Sequence, residues 1–421
     1  MKLEEDVKKE VFAAVAVAAL LAAQGAGAKT LEDVLKEKGV ITQEDLKGVS
    51  QRPLDYKLGK GATFTSADEK FQLSLGGRMQ TRYTYVDGEE NSLTPNSSKW
   101  EVKRMKFWMN GYAYTKDLTY LLQVDFAQGG SAKLLEHAYF NYRLIDEAQI
   151  LVGQTKVPFG RQWLNSSGGQ QFVDRSTASD VFRPGYDAGV KLNGDVMQGL
   201  ATYEFGIYGG AGQSATRAAN GDTTANAMAA RVTVNPFGKM AYSESDLDNS
   251  PKPLLSIGAD YYGNTVRKTS ATTYEANNIT LAGSNGWLGR NVGTFATGEK
   301  VGVDTFGLDA AFKWKGFSAQ GEYLKGFAEG KDSGNDLRAE GYYVQAGYFL
   351  IPQKLEVAAR YSFVDPNNDR SHDRIVDTQG AVSYYFNKHN LKVQGDITNT
   401  HDQSKMGSDD KMYRLQAQVI F

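Results

Sequence analysis

The feature that most constrains the fold is a two-residue alternation of apolar and polar side chains over most of the chain. In the run "FQLSLGGRMQTRYTYV", Phe71, Leu73 and Leu75 alternate with Gln72 and Ser74. A period of two places neighbouring side chains on opposite faces of a β-strand. Each alternating segment has about ten residues, the length of a tilted strand that crosses a membrane.

Sixteen such segments can be placed, and the connections between them alternate between short and long, apart from the long connection 237–252. Short turns at one end and long loops at the other are typical of an outer-membrane barrel. The alternative is a soluble β-sandwich, in which the turns would alternate less regularly. The sequence therefore predicts an all-β, transmembrane antiparallel β-barrel of about 16 strands. The segments lie at 71–86, 100–115, 117–127, 134–144, 147–157, 186–195, 199–209, 226–236, 253–263, 303–315, 316–326, 340–350, 354–364, 377–387, 389–399 and 411–421.

Composition agrees with many short strands, since the chain of 421 residues holds 45 glycines, 23 tyrosines and 20 phenylalanines. The chain has no cysteine, which excludes disulfides, thiolate metal sites and covalently attached haem. A formal net charge of −2 gives no support to nucleic-acid binding. No nucleophile lies beside a base, so we expect no enzyme, no cofactor and no metal site. The histidines lack metal-ligand spacing; they are His137, His372, His389 and His401.

The first 66 residues read differently from the strands. Residues 1–28 are predicted to be a signal peptide, because the apolar run Val11–Ala23 precedes an A-x-A site that ends at Ala28. Acidic residues before that run are unusual for an export signal, and a buried amphipathic helix is the alternative. Residues 29–66 are predicted to form a short periplasmic extension, either helical or a flexible linker, ahead of the barrel at 67–421.

The interior of a barrel with about sixteen strands is too wide for side chains to fill, so an aqueous channel is expected. Basic residues that point inward by strand parity would favour anions, since guanidinium groups bind oxyanions through paired hydrogen bonds. Acidic residues also point inward, and charged groups on a wet wall are ordinary. The inward basic residues are Arg78, Arg82, Arg104, Lys106, Lys191 and Arg231; the acidic ones are Glu204, Asp260, Asp309, Glu322, Glu356 and Asp396.

The long loop 158–185 is the candidate constriction of this channel. Its charged residues include Arg161 and Arg175, and apolar residues such as Trp163 favour packing against the barrel wall. We therefore expect the loop to fold inward, with an exposed partner-binding loop as the alternative.

Several ordered motifs resemble the phosphate-selective porin O and P family over about 71–421. They are "WEVKRMKFWMNGYAY", "YLLQVDFA", "LLEHAYFNYRL", "ILVGQTKVPFGRQWLNSS", "FVDRS" and "FRPGYDAGVKLNG". The resemblance implies a sixteen-stranded porin, usually a homotrimer, that carries small anions by diffusion across the bacterial outer membrane. It also implies that Lys156, Arg161 and Arg175 lie at or near the constriction and that Arg78 and Arg82 begin the basic lining.

The expected function is therefore passive diffusion of small hydrophilic solutes through an outer-membrane porin, with a preference for phosphate-like oxyanions. The expected partners are small anions, outer-membrane lipid and two further copies of the chain. The alternative is a barrel sleeve around a partner such as a multihaem cytochrome in an electron conduit. A lumen without an inward-folded loop would favour the sleeve.

Overall fold

The computed structural model describes residues 54–57, 59, 61–88, 95–127, 134–215, 226–275, 279–405 and 408–421. The predicted signal peptide and the predicted helical part of the extension lie outside these residues. Within the described ranges, no helix is both long enough and apolar enough to span a membrane.

Sixteen strands form a closed antiparallel barrel, which confirms the predicted barrel and excludes the sandwich. Each strand pairs with the next one along the chain, and the last pairs with the first from Lys411↔Asp87 to Ile420↔Arg78. Two short strands precede them, β1 (Leu54–Lys57) and β2 (Gly61–Thr65). The barrel strands are β3 (Phe71–Asp87), β4 (Ser97–Ala113), β5 (Thr115–Asp125), β6 (Leu135–Ile145), β7 (Ala148–Lys156), β8 (Tyr186–Val196), β9 (Ala201–Tyr208), β10 (Ala227–Val234), β11 (Leu254–Arg267), β12 (Lys300–Trp314), β13 (Phe317–Gly330), β14 (Asp336–Ile351), β15 (Leu355–Asp365), β16 (Ile375–Asn387), β17 (Leu391–Asp402) and β18 (Ser408–Ile420).

The hairpin β1–β2 extends the seam where the barrel closes. β2 pairs with β3 from Ala62↔Leu75 to Thr65↔Gln72, beyond the point at which pairing between β18 and β3 ends. These two strands were not predicted from the sequence, because each is only four or five residues long and shows little periodicity.

The barrel wall follows the alternation of the sequence. Outward-facing Leu308 and Val344 are 62% and 56% exposed, whereas the adjacent inward-facing Asp309 and Gln345 are buried. The outer surface is therefore apolar and suited to lipid, and the polar residues face the lumen.

One β-bulge changes this parity in β4. Gln80 of β3 pairs with Arg104, but the next residue, Thr81, pairs with Val102, so Lys103 is left over. Val102 is exposed on the outer surface, and after the bulge Phe107 takes the outward position. A bulge inserts one residue and shifts which side chains face inward.

The largest group of buried apolar side chains lies inside the barrel, at the end that carries the long loops. There the connection between β7 and β8, with helices α1 (Arg161–Leu164) and α2 (Thr177–Phe182), meets the connection between β11 and β12, with helix α3 (Trp287–Arg290). The rings of Phe182 and Trp287 stack with their centroids 6.2 Å apart. Both residues are fully buried, so the two connections support each other within the lumen.

Candidate functional site

The loop 158–185, called the constriction loop below, crosses the lumen and bonds to the inner wall. The Arg161 Nε donates to Asp309 Oδ1 of β12 at 2.6 Å, and the Gln171 Nε2 donates to Glu356 Oε1 of β15 at 2.6 Å. The backbone N–H of Val173 donates to Asp396 of β17 at 3.1 Å. These contacts with three separate strands hold the loop across the lumen.

The sequence at the start of the constriction loop explains how the chain turns inward. Gly160 has φ of 78°, a left-handed conformation that favours glycine, and it directly precedes α1. At the start of α2, the Ser176 side chain accepts a hydrogen bond from the backbone N–H of Ser179 at 3.1 Å. This is an ordinary N-cap, which satisfies one of the unpaired donors of the helix.

A second segment enters the lumen from the opposite end. The connection 235–253 between β10 and β11, called the inserted turn below, is the one that broke the alternation of loop lengths. Glu244 accepts from the Gln162 Nε2 at 2.9 Å and from the backbone N–H of Gln171 at 2.7 Å. Its own backbone N–H donates to Gly169 O at 3.1 Å. The inserted turn is therefore long because it reaches into the lumen from the end opposite the long loops and contacts the constriction loop.

Between the constriction loop and the wall of β3–β8 lies a cavity of about 600 Å³, called the basic cavity below. Cationic side chains outnumber carboxylates in its lining. The cations are Arg78, Lys103, Arg104, Lys106, Lys156, Arg175 and Arg183, and the carboxylates are Glu136, Asp174 and Asp180. The excess of positive charge makes the cavity attractive to anions.

Asp174 is the centre of an ion-pair network at the edge of this cavity. It pairs with Arg82 at 2.6 Å, with Arg104 at 3.1 Å and with Arg414 at 3.5 Å. Burial alone would raise the pKa of this carboxyl, but the guanidinium groups of Arg104, Arg82 and Arg414 hold its pKa well below the usual value. Asp174 therefore carries its charge at neutral pH.

Three other cations of the cavity are held by uncharged groups. Arg78 donates to Ser166 Oγ at 2.9 Å and to Ser167 Oγ at 2.7 Å. Lys156 and Arg175 donate to backbone carbonyls of the constriction loop. In the part of the chain that the structure describes, none of the three has a carboxylate within 4 Å. Their charge is therefore not cancelled by a neighbouring anion.

Of the nine basic residues singled out in the sequence, five line the basic cavity: Arg78, Arg104, Lys106, Lys156 and Arg175. Arg82 is not part of the cavity lining but pairs with Asp174, which is. Lys191 is paired with Glu204 at 2.8 Å beside a separate cavity of about 390 Å³ near the short turns. A pore-lining role for these residues stays a prediction.

The remaining two, Arg161 and Arg231, lie across the lumen from the basic cavity in a shared ion-pair network. Both pair with Asp309, Arg161 at 2.6 Å and Arg231 at 2.7 Å, and Arg231 also pairs with Asp260. Both guanidinium groups are almost fully buried. The contact with Asp309 anchors Arg161, and with it α1, to the barrel wall. A place for Arg161 at the constriction stays a prediction.

Two groups of this region were not predicted from the sequence: Lys103, which lines the basic cavity, and Glu244, which bonds to the constriction loop. Lys103 lines the basic cavity, although simple alternation puts it on the lipid side of β4. A charged residue at a lipid-facing position costs about 2–4 kcal/mol, and this cost is the signal that could have revealed the bulge. Glu244 was missed because its partners lie about 70 to 100 residues away along the chain.

Comparisons with known proteins agree with the barrel fold. The family model described as phosphate-selective porin O and P matches residues 73–421. Porin O of Pseudomonas aeruginosa is 25% identical over 365 residues, covering 80% of this chain and 76% of that protein. The resemblance seen in the sequence is thereby confirmed.

Two solved structures are similar to the fold. The anion-selective porin from Comamonas acidovorans gives a TM-score of 0.58 at 11% identity, covering 83% of this chain and 99% of that one. The outer membrane channel DcaP of Acinetobacter baumannii gives a TM-score of 0.57 at 14% identity, covering 86% and 100%. At these identities the structural likeness concerns the fold alone.

Proposed function

The chain belongs to the phosphate-selective porin O and P family, and from that premise we propose that it lets small hydrophilic solutes diffuse passively, with a preference for anions. It is a porin of the bacterial outer membrane, and its family and fold point to a channel rather than to an enzyme. The observation that carries the anion preference is the excess of cations over carboxylates around the basic cavity.

The proposed mechanism follows from where the lumen is narrowed. The constriction loop bonds to β12, β15 and β17, and the inserted turn bonds to the loop, so we infer that solutes pass along the basic wall of β3–β8. An anion there exchanges part of its hydration shell for Arg and Lys donors, and phosphate-like oxyanions match the fork of a guanidinium group. Cations are repelled by the same charges, so selectivity needs no moving part.

Arg78, Lys156 and Arg175 are the residues we assign to this contact, because their donors are satisfied only by hydroxyl or carbonyl oxygens. Each can exchange such a neutral partner for a passing anion at little electrostatic cost. Lys106 contributes less, because it is paired with the buried carboxylate of Glu136.

The finer organisation of the chain is part of the same proposal. Residues 1–28 act as an export signal, residues 29–66 form the periplasmic extension, of which β1 and β2 are the described part, and the barrel begins at 67. The porin assembles as a homotrimer, as the family resemblance implies. Its partners are small anions and the lipid around the barrel.

The alternative, a sleeve around a multihaem cytochrome, receives no support. A sleeve needs an open lumen, whereas here the constriction loop and the inserted turn bond to each other inside the barrel through Glu244.

Uptake into proteoliposomes tests the proposal with three solutes of similar size and different charge. We expect gluconate, an anion, to enter faster than glucose, and glucose to enter faster than the cation glucosamine. Equal rates for all three would reject the anion preference but leave a general porin. No uptake by folded protein would reject the channel itself.

A further inference from the structure

Trp163 in α1 lies at the meeting point of three cations of the basic cavity. The ring centroid is 4.8 Å from Lys156 Nζ, 4.9 Å from Arg175 Cζ and 4.3 Å from Arg183 Cζ. Trp163 is only 4% exposed, and the ring of Tyr186 packs against the indole at an interplanar angle of 79° with the ring centroids 5.1 Å apart. This packing fixes the ring, and the ring in turn contacts all three positive groups.

The hydrogen-bond partners of two of these cations are neutral. Lys156 donates to the carbonyl oxygens of Trp163, Leu164 and Asn165 at 2.7, 3.2 and 3.0 Å. Arg175 donates to the carbonyl oxygens of Gln162 and Asn165 at 3.0 and 2.9 Å. These carbonyls lie at the end of α1, where the helix leaves its last acceptors free.

Three cations so close together repel one another and need a negative partner. A carboxylate would supply one but would cancel a full charge, and the cavity would then attract anions less strongly. The face of an indole ring carries only the partial negative charge of its quadrupole, so it attracts cations without neutralising them. Among the described residues, a carboxylate pairs with Arg183 alone of the three cations, that of Asp180 at 3.2 Å.

We propose that Trp163 is a positioning residue for anion selectivity, which holds Lys156, Arg175 and Arg183 together through its ring face while leaving their charge available to the permeant anion. The proposal rests on the proposed function, since it concerns how the same cavity selects its solute. Trp163 acts through the cations and does not itself contact the anion.

The test replaces Trp163 with tryptophan analogues that carry one, two or three fluorine atoms on the ring. Fluorine withdraws electron density from the ring face and changes the volume little, so it weakens the attraction to cations in steps. We expect the chloride-over-potassium permeability ratio, from reversal potentials, to fall in order along the series by about two- to fourfold. A ring that only fills space would give no such order.

Trp287 offers a matched control, because it is also fully buried inside the barrel but stacks on Phe182. Among the cation–ring contacts of the described residues, none involves Trp287. The same fluorinated series at Trp287 should therefore leave the permeability ratio unchanged. A graded fall at Trp287 equal to that at Trp163 would overturn the inference, because the effect would then come from general packing.

Substitutions separate the ring face from the size of the side chain. Trp163→Phe keeps a weaker ring face and should keep part of the selectivity, whereas Trp163→Leu should lose more of it. If the wild-type channel is anion-selective and the fluorinated series leaves that selectivity unchanged, the role of Trp163 is overturned but the proposed function stands. A wild-type channel without anion selectivity would instead overturn the proposed function.

Discussion

Glu244 provides the sharpest test of how the lumen is built, because it joins the inserted turn to the constriction loop. Its side chain is 3% exposed and accepts hydrogen bonds from the Gln162 Nε2 at 2.9 Å, the backbone N–H of Gln171 at 2.7 Å and the Gln345 Nε2 at 3.1 Å. Replacing it by glutamine keeps the shape but removes the charge and turns one acceptor oxygen into a donor.

The cost of Glu244→Gln follows from these contacts. A hydrogen bond to a charged acceptor contributes about 1.5–3 kcal/mol, and a buried donor left unpaired costs about 1–3 kcal/mol. The amide of Gln162 cannot simply flip to accept, since its Oε1 already accepts from the N–H and Oγ of Ser176 at 2.9 and 2.8 Å. We expect a loss of about 2–4 kcal/mol in the attachment of the loop, which raises its detached population by about 30- to 700-fold.

Single-channel recording detects this detachment as excess current noise and brief openings of larger conductance. Asp248→Asn is a matched control, because Asp248 lies in the same inserted turn but is exposed and pairs with Lys388 at 2.6 Å, away from the constriction loop. The control should behave as the wild type. Quiet channels of wild-type conductance from folded Glu244→Gln protein would refute the reasoning that Glu244 holds the constriction loop.

Three further predictions concern the charges of the basic cavity. Arg78→Ala should weaken block of the chloride current by phosphate about three- to tenfold, whereas Arg143→Ala, at an exposed residue outside the cavity, should not. Asp174→Asn should raise the chloride-over-potassium permeability ratio about fivefold, since one charge at about 8 Å in water contributes roughly 0.5 kcal/mol for each ion, with opposite sign for chloride and for potassium. The difference between wild type and Asp174→Asn should persist from pH 7 to about pH 4, because the depressed pKa of Asp174 keeps this carboxylate charged in the folded channel until the pH falls below the usual range of a carboxyl. A difference that vanishes by pH 5 in reversal-potential measurements would contradict the ion-pair network.

The strands could be predicted from the sequence because one face of each meets lipid and the other meets water. That contrast repeats every two residues, and it placed all sixteen barrel strands within a few residues of their observed ends. It failed at Lys103, where the bulge shifts the register, because alternation carries no information about an inserted residue. It also failed for β1 and β2, which are too short to show a period.

The site was predictable only in part, because parity shows which side chains face inward but not what they meet there. Arg78 and Arg231 both point into the lumen, yet Arg78 bonds to serine hydroxyls while Arg231 is paired with Asp260 and Asp309. The difference is set by which strands lie opposite each other and by the path of the constriction loop. The inserted turn was visible as a connection of unexpected length, but nothing in its residues showed that it enters the lumen.

The most direct test of the central claim is the current through single wild-type channels in a planar bilayer under a KCl gradient, with phosphate then added in steps. For an anion-selective porin we expect a reversal potential near the equilibrium potential of chloride and a chloride current that low concentrations of phosphate block. A reversal potential near the equilibrium potential of potassium, or weakly selective steps indifferent to phosphate, would contradict the anion preference.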